Sequence, residues 1–136
     1  GMSNIRIFAR KFCTNNNNQK ITQLNVFGKE LQICCTDPLT GFFRDGYCHT
    51  NRYDFGVHTV CAKVTKEFLD FTASKGNDLS VVVNVGDKWC LCVSRWIEAY
   101  NAGVAPPIDL NATNIKTLES VDLETLKKFD INNNNE

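Results

Sequence analysis

A chain of 136 residues has room for one domain. At that size roughly two-thirds of the unfolded surface is buried on folding, so no metal or disulfide is needed merely to hold a core. Fifteen basic and fifteen acidic residues balance overall, but residues 1–29 hold Arg6, Arg10, Lys11, Lys20 and Lys29 and no acid, which leaves the remainder acidic. An acidic body argues against nucleic-acid binding, and no apolar run approaches the ~18 residues of a membrane span.

Seven cysteines is an odd number, and with no secretory apolar segment in view the thiols are expected to be mostly reduced. An intracellular location follows, cytoplasmic or mitochondrial. The mitochondrial reading rests on Met2 to Gln23, basic and acid-free, where Ile5, Phe8 and Phe12 share one helical face with Arg6 and Arg10 off it. The same stretch also reads as a disordered extension, 1–23, matched by an asparagine-rich tail at 130–136.

Between them, 24–129 reads as one globular domain. Leu24 to Ile33 has a hairpin-like pattern around Gly28-Lys29. Cys34 to Gly56 is turn-rich, punctuated by Asp37-Pro38, Thr40-Gly41, Asp45-Gly46 and the turn Tyr53-Asp54-Phe55-Gly56. Val57 to Val64 alternates as a strand, with Val57, Thr59, Cys61 and Lys63 on one face and His58, Val60, Ala62 and Val64 on the other. Thr65 is placed to cap a helix over Lys66 to Lys75, ended by Gly76. Val81 to Val85 reads as a buried strand.

The segment from Asp87 to Asn101 reads as a helix capped by Asp87, because Trp89, Val93, Trp96 and Tyr100 recur at i, i+4, i+7 and i+11. Ala102-Gly103 and Pro106-Pro107 end it. A short strand at Ile108 to Leu110 and two short helices, capped by Thr113 and Asp122, complete the chain. Strands and helices without a regular βαβ alternation predict an α+β fold, a small sheet of short strands covered by helices.

Three kinds of chemistry fit these residues. Cys61, Cys90, Cys92 and His58 form a three-cysteine, one-histidine set of the type that holds tetrahedral zinc. Geometry decides between readings here. If residues 90–92 are extended, both sulfurs share a face; if helical, they lie ~200° apart around the axis. The second chemistry is a thiolate nucleophile or redox thiol, Cys90 or Cys92. Arg95 would then stabilise anionic charge, and His58 would act as acid or base. His58 and Cys61 point to opposite faces of a regular strand, so His58 would serve a cysteine of another element.

The third is a small-molecule pocket built from Asp37, Arg44, Asp45, Asp78 and Asp87 in the loops, where binding groups usually sit. Arg44 and Arg95 suit an anionic ligand. The bland counterparts are cysteines as core filler and aspartates that close turns.

Longer motifs also stand out: Thr36-Asp37-Pro38-x-Thr40-Gly41-Phe42-Phe43-Arg44-Asp45-Gly46, His58-Thr59-Val60-Cys61-Ala62, Gly76-Asn77-Asp78-Leu79-Ser80 and Gly86-Asp87-x-Trp89-Cys90-Leu91-Cys92. With Arg95-Trp96-x-Glu98-Ala99 and Gly103-x-Ala105-Pro106-Pro107, they resemble a domain-of-unknown-function family of small uncharacterised bacterial and eukaryotic proteins. The resemblance spans about residues 25–129. It implies a single compact domain with no activity, substrate or cofactor attached to it. Cys35 and His49 depart from the family pattern, and the segment between Ser80 and Gly86 is shorter than in many members.

Overall fold

The computed structural model describes residues 22–133, so all of the basic extension but Thr22 and Gln23, and the end of the asparagine tail, lie outside the described residues. At the centre are two antiparallel strands, β1 (His58–Lys63) and β2 (Lys88–Cys92). Three helices follow the expected order: α1 (Lys66–Ser74), α2 (Val93–Asn101) and α3 (Leu123–Lys127). Two 3-10 turns, Leu110–Ala112 and Ile115–Glu119, lie between α2 and α3. The fold is α+β.

On its free edge β1 is bridged by Ile108 at Ala62, and Ile108 is bridged in turn by Asp130. Its backbone also takes up loop groups there: Asp109 N–H donates to the Cys61 carbonyl and Asn114 N–H to the Thr59 carbonyl. A two-stranded sheet alone is marginal in water, and these bridges supply its missing neighbours.

One face of the sheet carries the main core. Val60 and Ala62 of β1 and Trp89 and Leu91 of β2 pack with Phe68 of α1, Val93, Trp96 and Ala99 of α2, and Leu126 of α3. Phe68 and Trp96 are fully buried, and burial of a side chain of Phe size contributes roughly 1.5–3 kcal/mol. The Trp96 indole N–H donates to the Pro106 carbonyl at 3.1 Å, which satisfies the one polar atom it carries inside.

The helix ends follow the local chemistry. Thr65 caps α1 by accepting from Phe68 N–H at 3.1 Å, and Gly76, at φ +91°, turns the chain away. Asp122 caps α3. Asn114, not Thr113, caps the second 3-10 turn; Thr113 is instead buried, with its hydroxyl accepting from Cys61 N–H.

Three expected elements come out differently, the first being Ile108 to Leu110, which is a single bridging residue, Ile108, followed by a 3-10 turn from Leu110 and not a strand. The segment from Asp87 to Asn101 is not one helix: it is a strand to Cys92 and a helix from Val93. Asp87 closes the preceding turn, accepting from Asn84 N–H at 2.8 Å, while its carbonyl takes Val64 N–H. It is therefore unavailable as a helix cap. The apolar residues at 89 and 91 satisfy a period of two as readily as a helical stripe, and pairing with β1 selects the strand. Val81 to Val85 is no buried strand either. Val83 alone is buried, and Val81 is 81 % exposed in a turn.

Candidate active site

The second face of the sheet carries the sulfurs. Cys61 and Cys90 are paired across the ladder, so they share a face. Each is covered by a cysteine from the turn-rich loop: Cys34 is joined to Cys61 and Cys48 to Cys90 in two disulfides. The expectation of mostly reduced thiols is thus not what the structure contains: four of the seven cysteines are bonded, and Cys35 and Cys92 are the free ones among the described residues. Cys90 is accordingly withdrawn from the nucleophile role and, with Cys61, from the proposed zinc set.

Among the described residues, the group close enough to hold a metal is Cys34, Cys48 and Cys61, all buried. All three sulfurs are engaged in disulfides, so this set can ligate only after reduction.

Cys92 stands apart from that cluster. It is the last residue of β2 and the N-cap of α2, and its side chain makes no capping bond. A thiol at a sharp strand-to-helix turn, at the positive end of a helix, is well placed as a nucleophile. Its sulfur is 3.2 Å from His58 Nε2.

The contact depends on a break in register. Cys61 opposes Cys90 and Val60 opposes Leu91, which in a regular ladder would set Thr59 against Cys92. Instead His58 opposes Cys92, and the ladder is irregular between His58 and Val60. This bulge moves His58 off the face that simple alternation assigns it and onto the sulfur face.

On its other side, His58 Nδ1 lies 2.6 Å from Asp54 Oδ1. Asp54 is buried, and its second oxygen accepts from the Thr50 hydroxyl and from the backbone N–H of His58, both at 2.9 Å. Asp54 to Gly56 folds back so that acid and histidine meet four residues apart. The turn is unusual: Val57, a β-branched residue, sits at φ +49°, where few non-glycine residues are found. Its carbonyl accepts from Thr59 N–H and from Val93 N–H of α2, which holds the conformation in place. Gly56 lies directly under the pair. A Cβ there would stand 2.6 Å from His58 Cε1 and 3.0 Å from the Cys92 sulfur.

The electrostatics follow from these contacts. The hydrogen bond to Cys92 is the largest influence on His58; burial opposes it and Asp54 reinforces it, and the imidazole is raised from 6.5 to about 9. For Asp54, burial alone would raise the carboxyl. The His58 ring and backbone, Thr50 and the His58 charge outweigh it and hold the carboxyl below its ordinary value. A histidine protonated at neutral pH between a thiol and a carboxylate can give up a proton on the thiol side while the carboxylate holds the ring.

His58 and Cys92 open into a cavity of about 520 Å³, lined also by Phe42, Arg44, Asn77 and Trp89. Phe42 lies parallel to the His58 ring, centroids 6.3 Å apart. A larger concavity of about 820 Å³ touches Asp54 from the other side, around Thr50, Arg52, Phe55 and Lys116, but does not reach the thiol.

The other residues singled out in the sequence fall away from this centre. Arg95 donates to the Lys75 carbonyl and pairs with Glu98, and it does not line the cavity. Asp45 accepts from Tyr47 N–H and pairs with His49; Asp78 accepts from Ser80; Asp87 closes its own turn; Asp37 is exposed. Of these charged loop residues, Arg44 joins His58 and Cys92 at the cavity, where the loop residues Phe42 and Asn77 also stand. Asp54 and Gly56 are absent from the sequence reading, which treats them as turn residues. The available signal was an acid four residues before a histidine with a glycine between, which on its own is common in turns.

No helix among the described residues is long and apolar enough to cross a membrane. No curated protein matches the chain in sequence. A family model does match, over residues 24–130, and the chain therefore belongs to that family, DUF2237, described as an uncharacterized protein conserved in bacteria.

Proposed function

We propose that this protein is a cysteine-dependent enzyme that acts on a small molecule, with Cys92 as nucleophile, His58 as acid–base partner and Asp54 as the carboxylate that orients His58. The observation that carries this reading is the unbroken chain from Cys92 sulfur to His58 Nε2 at 3.2 Å and from His58 Nδ1 to Asp54 at 2.6 Å. Such a chain gives each group a distinct task. The Cys92 sulfur attacks an acyl carbon as the bond to the leaving group breaks. The departing group takes the proton of His58, and the thiol proton replaces it there. Water then hydrolyses the thioester to an acid and restores the Cys92 thiol, while Asp54 fixes the ring so that Nε2 faces the sulfur. Acyl transfer through a thioester is the reaction class this arrangement serves best. The cavity beside the thiol is the size of small-molecule sites.

Alkylation by iodoacetamide, with the modified residue identified by mass spectrometry, tests the reading. Cys92 should be modified first at neutral pH, at least about tenfold faster than Cys35, and a His58→Ala variant should lose that advantage. Modification of Cys35 alone, or a Cys92 rate indifferent to His58, would overturn it.

A further inference from the structure

We propose that the substrate of this site carries a carboxylate, and that Arg44 is the residue that selects it. The inference rests on the Cys92–His58–Asp54 reading and adds the substrate class to it. Arg44 lines the same cavity as Cys92 and His58. No Asp or Glu lines that cavity, and Arg44 forms no ion pair among the described residues. Its neighbour in sequence, Asp45, does not neutralise it, because that carboxylate pairs with His49 and accepts from Tyr47 N–H.

The guanidinium is nonetheless held in place. It lies over the Trp89 ring, 5.2 Å from the centroid, and Nη1 donates to the Gly41 carbonyl at 2.7 Å. The backbone contributes as well: Arg44 sits at φ +55°, a conformation uncommon for a side-chain-bearing residue, and its N–H donates to the same Gly41 carbonyl. A cation fixed by an aromatic face and a carbonyl, with its remaining side-chain N–H groups unengaged among the described residues, presents a planar fork matched to a carboxylate. Phe42, Leu79 and Val82 make much of the remaining wall apolar, with Asn77 as a polar neighbour, so the expected substrate joins a carboxylate to a largely apolar body and bears its electrophilic carbon toward Cys92.

Two alkylating agents of nearly equal size separate the outcomes. Iodoacetate carries the carboxylate and iodoacetamide does not. In the native protein the ratio of iodoacetate to iodoacetamide rates at Cys92 should exceed that of free glutathione by about tenfold, the worth of one charge-assisted contact. Arg44→Asn, which tolerates the positive φ, should bring the ratio of the two rates back to that of glutathione, the ratio and not either rate alone being the readout. Benzoate should slow iodoacetamide modification of the native protein at concentrations where benzamide does not, a comparison that needs no variant. A ratio unchanged by Arg44→Asn, or equal protection by benzoate and benzamide, overturns the carboxylate assignment and leaves the triad standing. A Cys92 inert to both reagents removes the triad and this inference with it.

Discussion

His58 and Cys92 face each other across the ladder because Thr59 is left without a partner between them and the Val60–Leu91 pair. The bulge is locked from several sides. The Thr59 hydroxyl is 2.8 Å from that of Thr117, its carbonyl takes Asn114 N–H, and its own N–H reaches the Val57 carbonyl. The site is therefore a product of irregular backbone, and substitutions that perturb the turn should act on the chemistry before they act on the fold.

Gly56 is the sharpest case. A methyl group added there meets the His58 ring and the Cys92 sulfur at distances that cannot both be kept. Gly56→Ala should push the pair apart, lowering the Cys92 alkylation rate by at least about tenfold. Overpacking of this kind costs about 1–3 kcal/mol, so the variant should still fold. Urea unfolding beside the alkylation rate checks both parts; an unaltered rate would show that the pair does not depend on this close approach.

The protonation of His58 gives a second prediction. Its folded value of about 9 lies above the ordinary 6.5, chiefly through the bond to Cys92. A raised value means that the stabilisation is fully present below pH 6.5 and disappears as the pH rises through about 9. The ring is partly open to solvent, so the effect on stability should be modest. The Cε1–H resonance should titrate with a midpoint near 9 in the native protein and move down toward 6.5 in Cys92→Ser. Urea midpoints at pH 6 and pH 9.5 should differ more in the native protein than in that variant. A midpoint near 6.5 in both would mean that the contact with Cys92 does not hold the proton on His58.

Asp54 works from the opposite direction. Its carboxyl is held below its ordinary value, so its contribution is present above that value and is lost as the pH falls through the lowered one. Asp54→Asn keeps the size of the group and removes its charge. The variant should lose about 1–3 kcal/mol of stability, since Thr50 and His58 both bond to this buried group. The Cys92 alkylation rate should fall by about 10–100-fold, with the His58 titration midpoint also lower. Thermal unfolding, the alkylation rate and the NMR titration of the purified variant measure the three effects separately.

The parts of this molecule that were legible beforehand are those set by local chemistry. Thr65 and Asp122 cap their helices because a side-chain oxygen needs only its own next turn to do so. Strand β1 follows from alternation, and the α+β class from the order of elements. The segment from Asp87 to Asn101 reads as one helix because two periods coincide there: Trp89 is in phase with the α2 stripe and also with Leu91 on a strand. Local pattern cannot separate them, because the deciding term is pairing with residues 58–63. Cys92 and His58 were both singled out, yet their meeting was not legible. It requires a bulge, and one unpaired residue reverses every inference from alternation. The extended run at 90–92 does put both sulfurs on one side, as the geometric test anticipated, but Cys90 is already joined to Cys48.

The two disulfides give the last prediction. They fasten each site strand to the turn-rich loop close to the chemistry: Cys61 is three residues from His58, and Cys90 two residues from Cys92. With sequence separations of 27 and 42, each bond is worth about 3.5–4 kcal/mol in the chain-entropy account, though two such links in one small domain overlap and do not add. Reduction should therefore lower the thermal midpoint by at least about 10 °C. It should also loosen the strand ends that set the His58–Cys92 distance. In protein reduced with a phosphine but still folded by circular dichroism, the Cys92 alkylation rate should fall toward that of Cys35, and reoxidation should restore it. Retention of the native rate after both bonds are opened would show that the β1–β2 ladder and its bulge hold the pair without them.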